Sequence, residues 1–444
     1  MVAIEHTGRT ALLGLATLGL LMLALAAAGP WIATVWGYGV LIPAILASGA
    51  IAMAATMLAP AVPERAGLIL ILTLAIVMRL AVLGADPLLS TDIYRYVWDG
   101  RVQAAGINPY IHVPADPVLA GLRDALIYPN INRADYAVTA YPPVAQMFFL
   151  AVTRLGETLT VMRLAMIACE VVVVAVMIDL LRRLQLPATA VVAWAWHPLA
   201  IWEIANSGHV EALMVALLML GVWLLVRGRE LFGAVAVALA ILVKPYAVFA
   251  LPAFWRPWDW RLPLAAVVTA GVCYLPYAGA GRGVLGFVSS GYLSEEGFVA
   301  GDGFWLVALL QRALGDVPGL TAAYVLAAAC AMAWLALRLS SRIEASPESA
   351  LRGVALLLMA GLFLLSPNYP WYVLAVVPFT VLGGGAPAWA MTLGAILLYR
   401  PWLLPENDLA WKTLATLPFL FAVAITLVRH RRAVKSLAGA SQWT

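Results

Sequence analysis

Apolar residues in this chain come in long unbroken runs, neither alternating nor confined to one helical stripe. The runs cover about residues 11–29, 38–59, 66–84, 143–153, 161–181, 188–203, 210–226, 231–254, 262–279, 319–339, 351–365, 371–383, 387–403 and 413–428. A helix needs roughly 20 residues to cross a bilayer, so the longer runs predict membrane-spanning helices, while several others are too short to cross unaided. Continuous runs also exclude a transmembrane β-barrel, whose strands alternate. The fold class expected is an all-α polytopic membrane protein of about 12 transmembrane helices, with short interfacial helices in its outer loops. The first run follows Arg9 and ends in Ala26-Ala27-Ala28-Gly29. A cleavable signal peptide has this look, but the next run follows so closely that a first membrane anchor is the better reading.

Polar residues between the runs set the orientation. Lys and Arg concentrate in cytoplasmic loops, so the cluster Arg429, Arg431, Arg432 and Lys435 puts the C-terminus in the cytoplasm. Walking back, the stretch Arg338 to Arg352 and the turn Arg256 to Arg261 fall on the same side, and the long polar stretches 85–142 and 280–318 face outward. Arg227 and Arg229 also read as cytoplasmic, although only one apolar run separates them from the Arg256 turn. A helix broken at Lys244-Pro245, entering and leaving on one side, resolves the conflict, because proline removes a helix donor and clashes with the preceding turn. The same bookkeeping requires one of the runs 143–153, 161–181 or 188–203 not to span; simple spans throughout would instead move residues 204–209 to the cytoplasm. No internal repeat, low-complexity linker or separate soluble domain is visible. The chain reads as one membrane domain over 1–444, with two helices in 1–65, a main region 66–428 and a cytoplasmic tail 429–444.

Composition agrees with the pattern. The chain is 64% hydrophobic and 11% charged, against roughly half and a quarter in soluble domains. A net charge of +4 and a pI near 9.0 would suggest nucleic acid in a soluble protein. Here the basic residues lie between apolar runs, so no nucleic-acid partner is expected and the bilayer is the partner implied. Cys169, Cys273 and Cys330 each sit in an apolar stretch without a ligand-spaced neighbour, which suggests packing, not disulfides or zinc.

With so few charges, their placement carries the chemistry. The first outer loop opens with Ser90-Thr91-Asp92-Ile93-Tyr94-Arg95-Tyr96-Val97-Trp98-Asp99-Gly100-Arg101. On a helix, Asp92, Arg95 and Asp99 share a face, and Arg95 reaches either carboxylate. An interfacial helix with solvated ion pairs and an aromatic belt explains most stretches of this kind. A carboxylate with arginines at a membrane boundary also suits deprotonation of an alcohol near an anionic lipid headgroup. Tyr141-Pro142-Pro143 reads as a rigid helix entry. Trp202-Glu203-Ile204-Ala205-Asn206-Ser207-Gly208-His209-Val210-Glu211 places ionisable groups between apolar runs, where they are costly and mark a functional site by default. Glu203, Asn206 and His209 share a helical face, but the spacing matches no metal motif, so hydrogen bonding to a sugar or phosphate is preferred over zinc. His197 before Pro198 reads equally well as a satisfied helix-end residue. Lys244 offers a cation to a phosphate, or else snorkels to the interface. Glu295, Glu296 and Asp302 read as solvated, with room for one of them to face a cavity. Ser366-Pro367-Asn368-Tyr369-Pro370-Trp371-Tyr372 supplies either belt anchors or rings that stack on a sugar or prenyl chain.

Taken in order, the acidic first loop, "NSGHVEA", "LVKPYAVFALP" and "SPNYPWY" resemble a bacterial GT-C glycosyltransferase. The group most similar is that of the polyprenol-phosphate-mannose-dependent mannosyltransferases. The resemblance runs from about residue 66 to 428 and leaves the first two runs as an N-terminal addition. It implies a GT-C-like bundle in a bacterial plasma membrane, with a polyprenyl-monophosphate sugar donor. The acceptor would be a glycolipid, polysaccharide or other alcohol, meeting the donor on the extracytoplasmic side. By that resemblance Asp92 is the general base of an inverting transfer of a hexose, most plausibly mannose. The phosphate leaving group calls for cations more than for an acid; Arg95, Arg101, Lys244 and His209 are candidates, with Tyr372 as a neutral donor. Asp99, Glu203, Asn206, Tyr369 and Trp371 complete the expected substrate-binding set. Many members of the group carry two adjacent acids in the first loop, whereas Thr91 precedes Asp92 here. This weakens any case for a divalent metal, and no cofactor is expected. The rival classes are a secondary transporter or flippase, which predicts matching halves that are not found, and polymer ligation from a diphosphate donor.

Overall fold

A computed structural model describes residues 2–255, 259–340, 346–402 and 408–440. Arg256, Arg342 and residues 441–444 of the tail lie outside the described residues. The helices, in chain order, are α1 Val2–Val35, α2 Tyr38–Leu58, α3 Glu64–Leu83, α4 Asp92–Ala104, α5 Pro143–Thr153, α6 Leu159–Arg183, α7 Val192–Ala195, α8 Glu211–Val226, α9 Glu230–Ile241, α10 Arg261–Tyr274, α11 Leu293–Glu295, α12 Trp305–Leu314, α13 Leu320–Ser340, α14 Pro347–Leu365, α15 Gly385–Gly394 and α16 Asp408–Ala440. Among the described residues eight helical stretches are long and apolar enough to span a membrane, and seven shorter apolar helices accompany them. The chain is therefore an all-α polytopic membrane protein, as the run pattern predicts.

The helix ends follow the local sequence. Thr158 caps α6 by accepting from the Val161 amide at 3.2 Å, and Pro143 occupies the first position of α5, where its missing N–H is no loss. The expected break is present: α9 stops at Ile241, and a 3-10 segment, Pro245–Phe254, follows Lys244. Run 188–203 is divided into a 3-10 turn, α7 and a π-helical segment, Ala200–Asn206, all buried.

That broken segment lies at the centre of the bundle, in contact with α2, α3 and α6. Buried polar pairs fix it there. Arg79 of α3 grips both oxygens of Glu170 on α6, at 2.9 and 3.1 Å, and donates to the Ala195 carbonyl at 2.5 Å. The hydrophobic pattern did not reveal this pair, although in an apolar surrounding one buried charge demands the other. The two N-terminal helices pack on the rest of the bundle, α1 on α3 and α2 on α7 and α15. The Tyr38 hydroxyl donates to the Leu88 carbonyl at 2.6 Å, tying α2 to the connection that leads into α4.

Candidate functional site

A cavity of about 780 Å³ opens where six segments meet: the start of α2, the α3–α4 connection, the loop ahead of α5, the break after α9, the segment 288–298 and the turn after α14. Asp92, the first residue of α4, lines it and is half-buried. Asn132 donates to one carboxylate oxygen at 2.9 Å and the Tyr141 hydroxyl to the other at 3.2 Å. Both donors are neutral, so the carboxylate is oriented without an ion pair of its own. Arg133, next to Asn132, adopts a left-handed backbone (φ 55°), uncommon outside glycine. Its guanidinium turns to Glu295 at 2.6 Å and lies 3.7 Å from Glu296. Glu296 is only 5% exposed and accepts from the Asn368 amide at 2.7 Å. Burial holds its carboxyl above the ordinary range, against the lowering effect of Asn368 and Arg133.

A chain of ionisable groups leads inward from the break after α9. Lys244 lines the cavity and pairs with Glu211 at 3.0 Å. Glu211 meets His209 at 3.6 Å, and His209 meets Glu203 at 3.4 Å, all three fully enclosed. His209 stacks on Trp371 at a centroid distance of 4.2 Å, and Trp371 lies parallel to Tyr369 at 4.5 Å. The buried groups thus support both a cation and an aromatic wall. Lys244 also sits 5.2 Å from the Tyr141 ring centroid and 5.7 Å from that of Tyr372, distances at which ring and cation attract. A concave, largely preformed site with a few convergent polar groups is the usual form of a small-molecule site.

A family model described as "Alpha-(1->6)-mannopyranosyltransferase, N-terminal domain" matches residues 8–258, more than half of the chain. The chain belongs to this mannopyranosyltransferase family. The matched region begins within α1, so it includes the two helices that the sequence resemblance set apart. The chain is similar to Alpha-(1->6)-mannopyranosyltransferase A of Mycobacterium tuberculosis, at 28% identity over 194 residues, which are 39% of this chain and 34% of that protein. It thus spans about a third of the length of the curated relative it matches. No solved structure matches the chain.

In this member of the mannopyranosyltransferase family, the structure sorts the candidate residues into three groups. Asp92, Lys244, Tyr369, Trp371 and Tyr372 line the cavity together. Glu203 and His209 lie behind its wall, and Asn206 holds the approach to Asp92 by donating to the carbonyls of Val82 and Asp86 and accepting from the Leu88 amide. Arg95, Asp99 and Arg101 do not line it. Arg95 pairs with Asp99 at 2.7 Å inside the loop, and Gln146 donates to the other Asp99 oxygen at 2.8 Å. Arg101 is held by Asp124 at 2.6 Å and Glu157 at 2.8 Å. The helix that carries them is no interfacial belt, because Tyr96 and Trp98 are buried.

The packing also decides between the other readings. Glu296 is not solvated, whereas Asp302 is exposed. Lys244 does not snorkel, since Glu211 neutralises it in place. His197 is a buried helix-end residue 3.2 Å from the Thr392 hydroxyl. Tyr141 does more than lead into α5, because its hydroxyl bonds Asp92. Asn132, Arg133, Tyr246, Tyr292 and Asn368 also line the cavity. Nothing in the local sequence marked Asn132, Arg133 or Tyr292, whereas Tyr246 and Asn368 lie within the segments LVKPYAVFALP and SPNYPWY. Among the described residues no group of three or more His, Cys, Asp or Glu side chains is placed to hold a metal ion.

Proposed function

We propose that the chain transfers mannose from a polyprenyl-monophosphate donor to an acceptor hydroxyl, with inversion and with Asp92 as general base. The observation that carries this reading is the Asp92 carboxylate facing the cavity, oriented by two neutral donors, with the Lys244 ammonium on the neighbouring wall. The acceptor oxygen attacks the anomeric carbon from the face opposite the phosphate. As the new C–O bond forms, the bond to phosphate oxygen breaks and its electron pair stays on the phosphate, while the acceptor proton passes to Asp92. Lys244 and the Tyr372 hydroxyl stabilise the charge that grows on the leaving group. No step in this scheme calls for a divalent metal.

The reading places the cavity on the extracytoplasmic side of a bacterial plasma membrane and the C-terminal basic cluster inside, on the distribution of Lys and Arg. Purified protein reconstituted with a labelled polyprenyl-phosphate mannose tests the chemistry. Asp92→Asn keeps the shape of the side chain, so turnover should fall on the order of 10²-fold or more. Unchanged turnover would remove Asp92 as the base. Transfer that prefers a diphosphate donor, or ion-coupled flux without transfer, would overturn the reading as a whole.

A further inference from the structure

Glu296 is a buried carboxylate on the cavity wall for which the proposed transfer has no use. Asn368 donates to one of its oxygens at 2.7 Å, the Tyr369 hydroxyl is also hydrogen-bonded to it, and Arg133 approaches the other oxygen only to 3.7 Å. A carboxylate has about four acceptor sites, so capacity remains. Beside it the Asn368 side-chain carbonyl oxygen is buried without a hydrogen-bond partner. A buried acceptor left unpaired is costly and calls for an explanation. The face of Tyr369, backed by Trp371, flanks the pair.

Two acceptors beside an aromatic ring form an arrangement that recognises a polyol. Adjacent ring hydroxyls donate to the acceptors, and the apolar face of the sugar covers the aromatic ring. Charge narrows the class further. Of the cations near Glu296, Arg133 is engaged by Glu295 at 2.6 Å, and Lys412 is buried and donates to the Gly303 carbonyl at 3.1 Å, so neither is free to meet an anion at this corner. An anionic headgroup finds no free partner there, and a neutral glycan needs none.

The corner is linked to the proposed base by Asn132, which bonds Asp92 and is adjacent in sequence to Arg133. Lys244, the phosphate candidate, is reached from Asp92 by way of Tyr141. We infer that Glu296 and Asn368 form the acceptor subsite, binding hydroxyls of a neutral sugar on the acceptor. This assignment rests on the proposed transfer for its name, but binding at the corner is separable from catalysis.

The test therefore measures binding without turnover. The full chain in nanodiscs is titrated with a methyl α-dimannoside, and separately with polyprenyl-phosphate mannose. Wild type should bind the dimannoside and should discriminate against a methyl mannuronoside, whose negative charge is brought close to the Glu296 carboxylate. Glu296→Gln should weaken the dimannoside about 10-fold or more, as expected for losing a charged acceptor. It should also reduce discrimination against the uronate and leave the donor within about twofold. The discrimination reports charge at the corner, which a merely structural role would not move. Asn368→Ala, a second variant in case the first fails to fold, should weaken the dimannoside by a smaller factor.

Absence of dimannoside binding by wild type, unchanged binding in both variants, or equal weakening of donor and dimannoside would each overturn the assignment. If Asp92→Asn turns over normally while Glu296→Gln still loses the dimannoside, the base reading falls and the subsite stands.

Discussion

Lys244 and Glu211 form a 3.0 Å ion pair in which the lysine reaches the cavity and the glutamate is fully enclosed. The pair joins the break after α9 to the first turn of α8, so a local interruption in one helix is secured by the start of another.

Removing one member of this pair strands the other charge. Glu211→Gln, and likewise Lys244→Met, should destabilise the fold by about 3–5 kcal/mol, the usual cost of an unpaired buried ion. The double variant should cost less than the sum of the two, because neither charge remains. A double-mutant cycle read by unfolding in detergent checks this; additive losses would show that the two groups do not interact.

Asn132 and Tyr141 orient the Asp92 carboxylate by one hydrogen bond each. Tyr141→Phe and Asn132→Ala should each lower kcat by roughly 3- to 10-fold, each losing one hydrogen bond of about 1 kcal/mol, with the donor KM little changed. Steady-state kinetics separates the two parameters. A rise in donor KM at constant kcat would instead assign these residues to binding.

Arg95 and Asp99 belong to the scaffold of the first loop. Asp99→Ala leaves Arg95 and Gln146 without their shared carboxylate and should lower the melting temperature by several degrees. In the molecules that remain folded, the donor KM should stay within about twofold of wild type. A selective rise in donor KM with an unchanged melting temperature would return these residues to the binding set.

The Glu296 carboxyl has a pH signature. Burial raises its pKa above the ordinary 4.5, so between that value and the raised one the folded state holds more proton than the unfolded state, and stability falls as pH rises. Below the ordinary value this contribution is fully present. Glu296→Gln cannot ionise, so relative to wild type its melting temperature should improve from pH 4 to pH 7. A constant difference across that range would show that the carboxyl is not perturbed by folding.

Much of the site was legible because its residues break local rules. Asp92 is a carboxylate where a run ends, Lys244 a cation before proline inside an apolar stretch, and Trp371 and Tyr372 rings in a proline-bounded turn. All of them line the cavity. Arg95 and Arg101 carry the same signal, a charge close to an apolar run, yet their charges are spent on Asp99, Asp124 and Glu157. Spacing shows which residues share a helical face but not which way that face turns.

By itself the sequence determined the membrane setting, the helical class, the break at Lys244-Pro245 and the residue types available for chemistry, because hydrophobic run length and proline geometry act locally. Only the tertiary structure decided partnerships. Asp92 meets Asn132 and Tyr141 across 40 and 49 positions, and Glu296 meets Asn368 across 72. A polar group in an apolar interior must find a partner, but which partner it finds depends on how the helices pack.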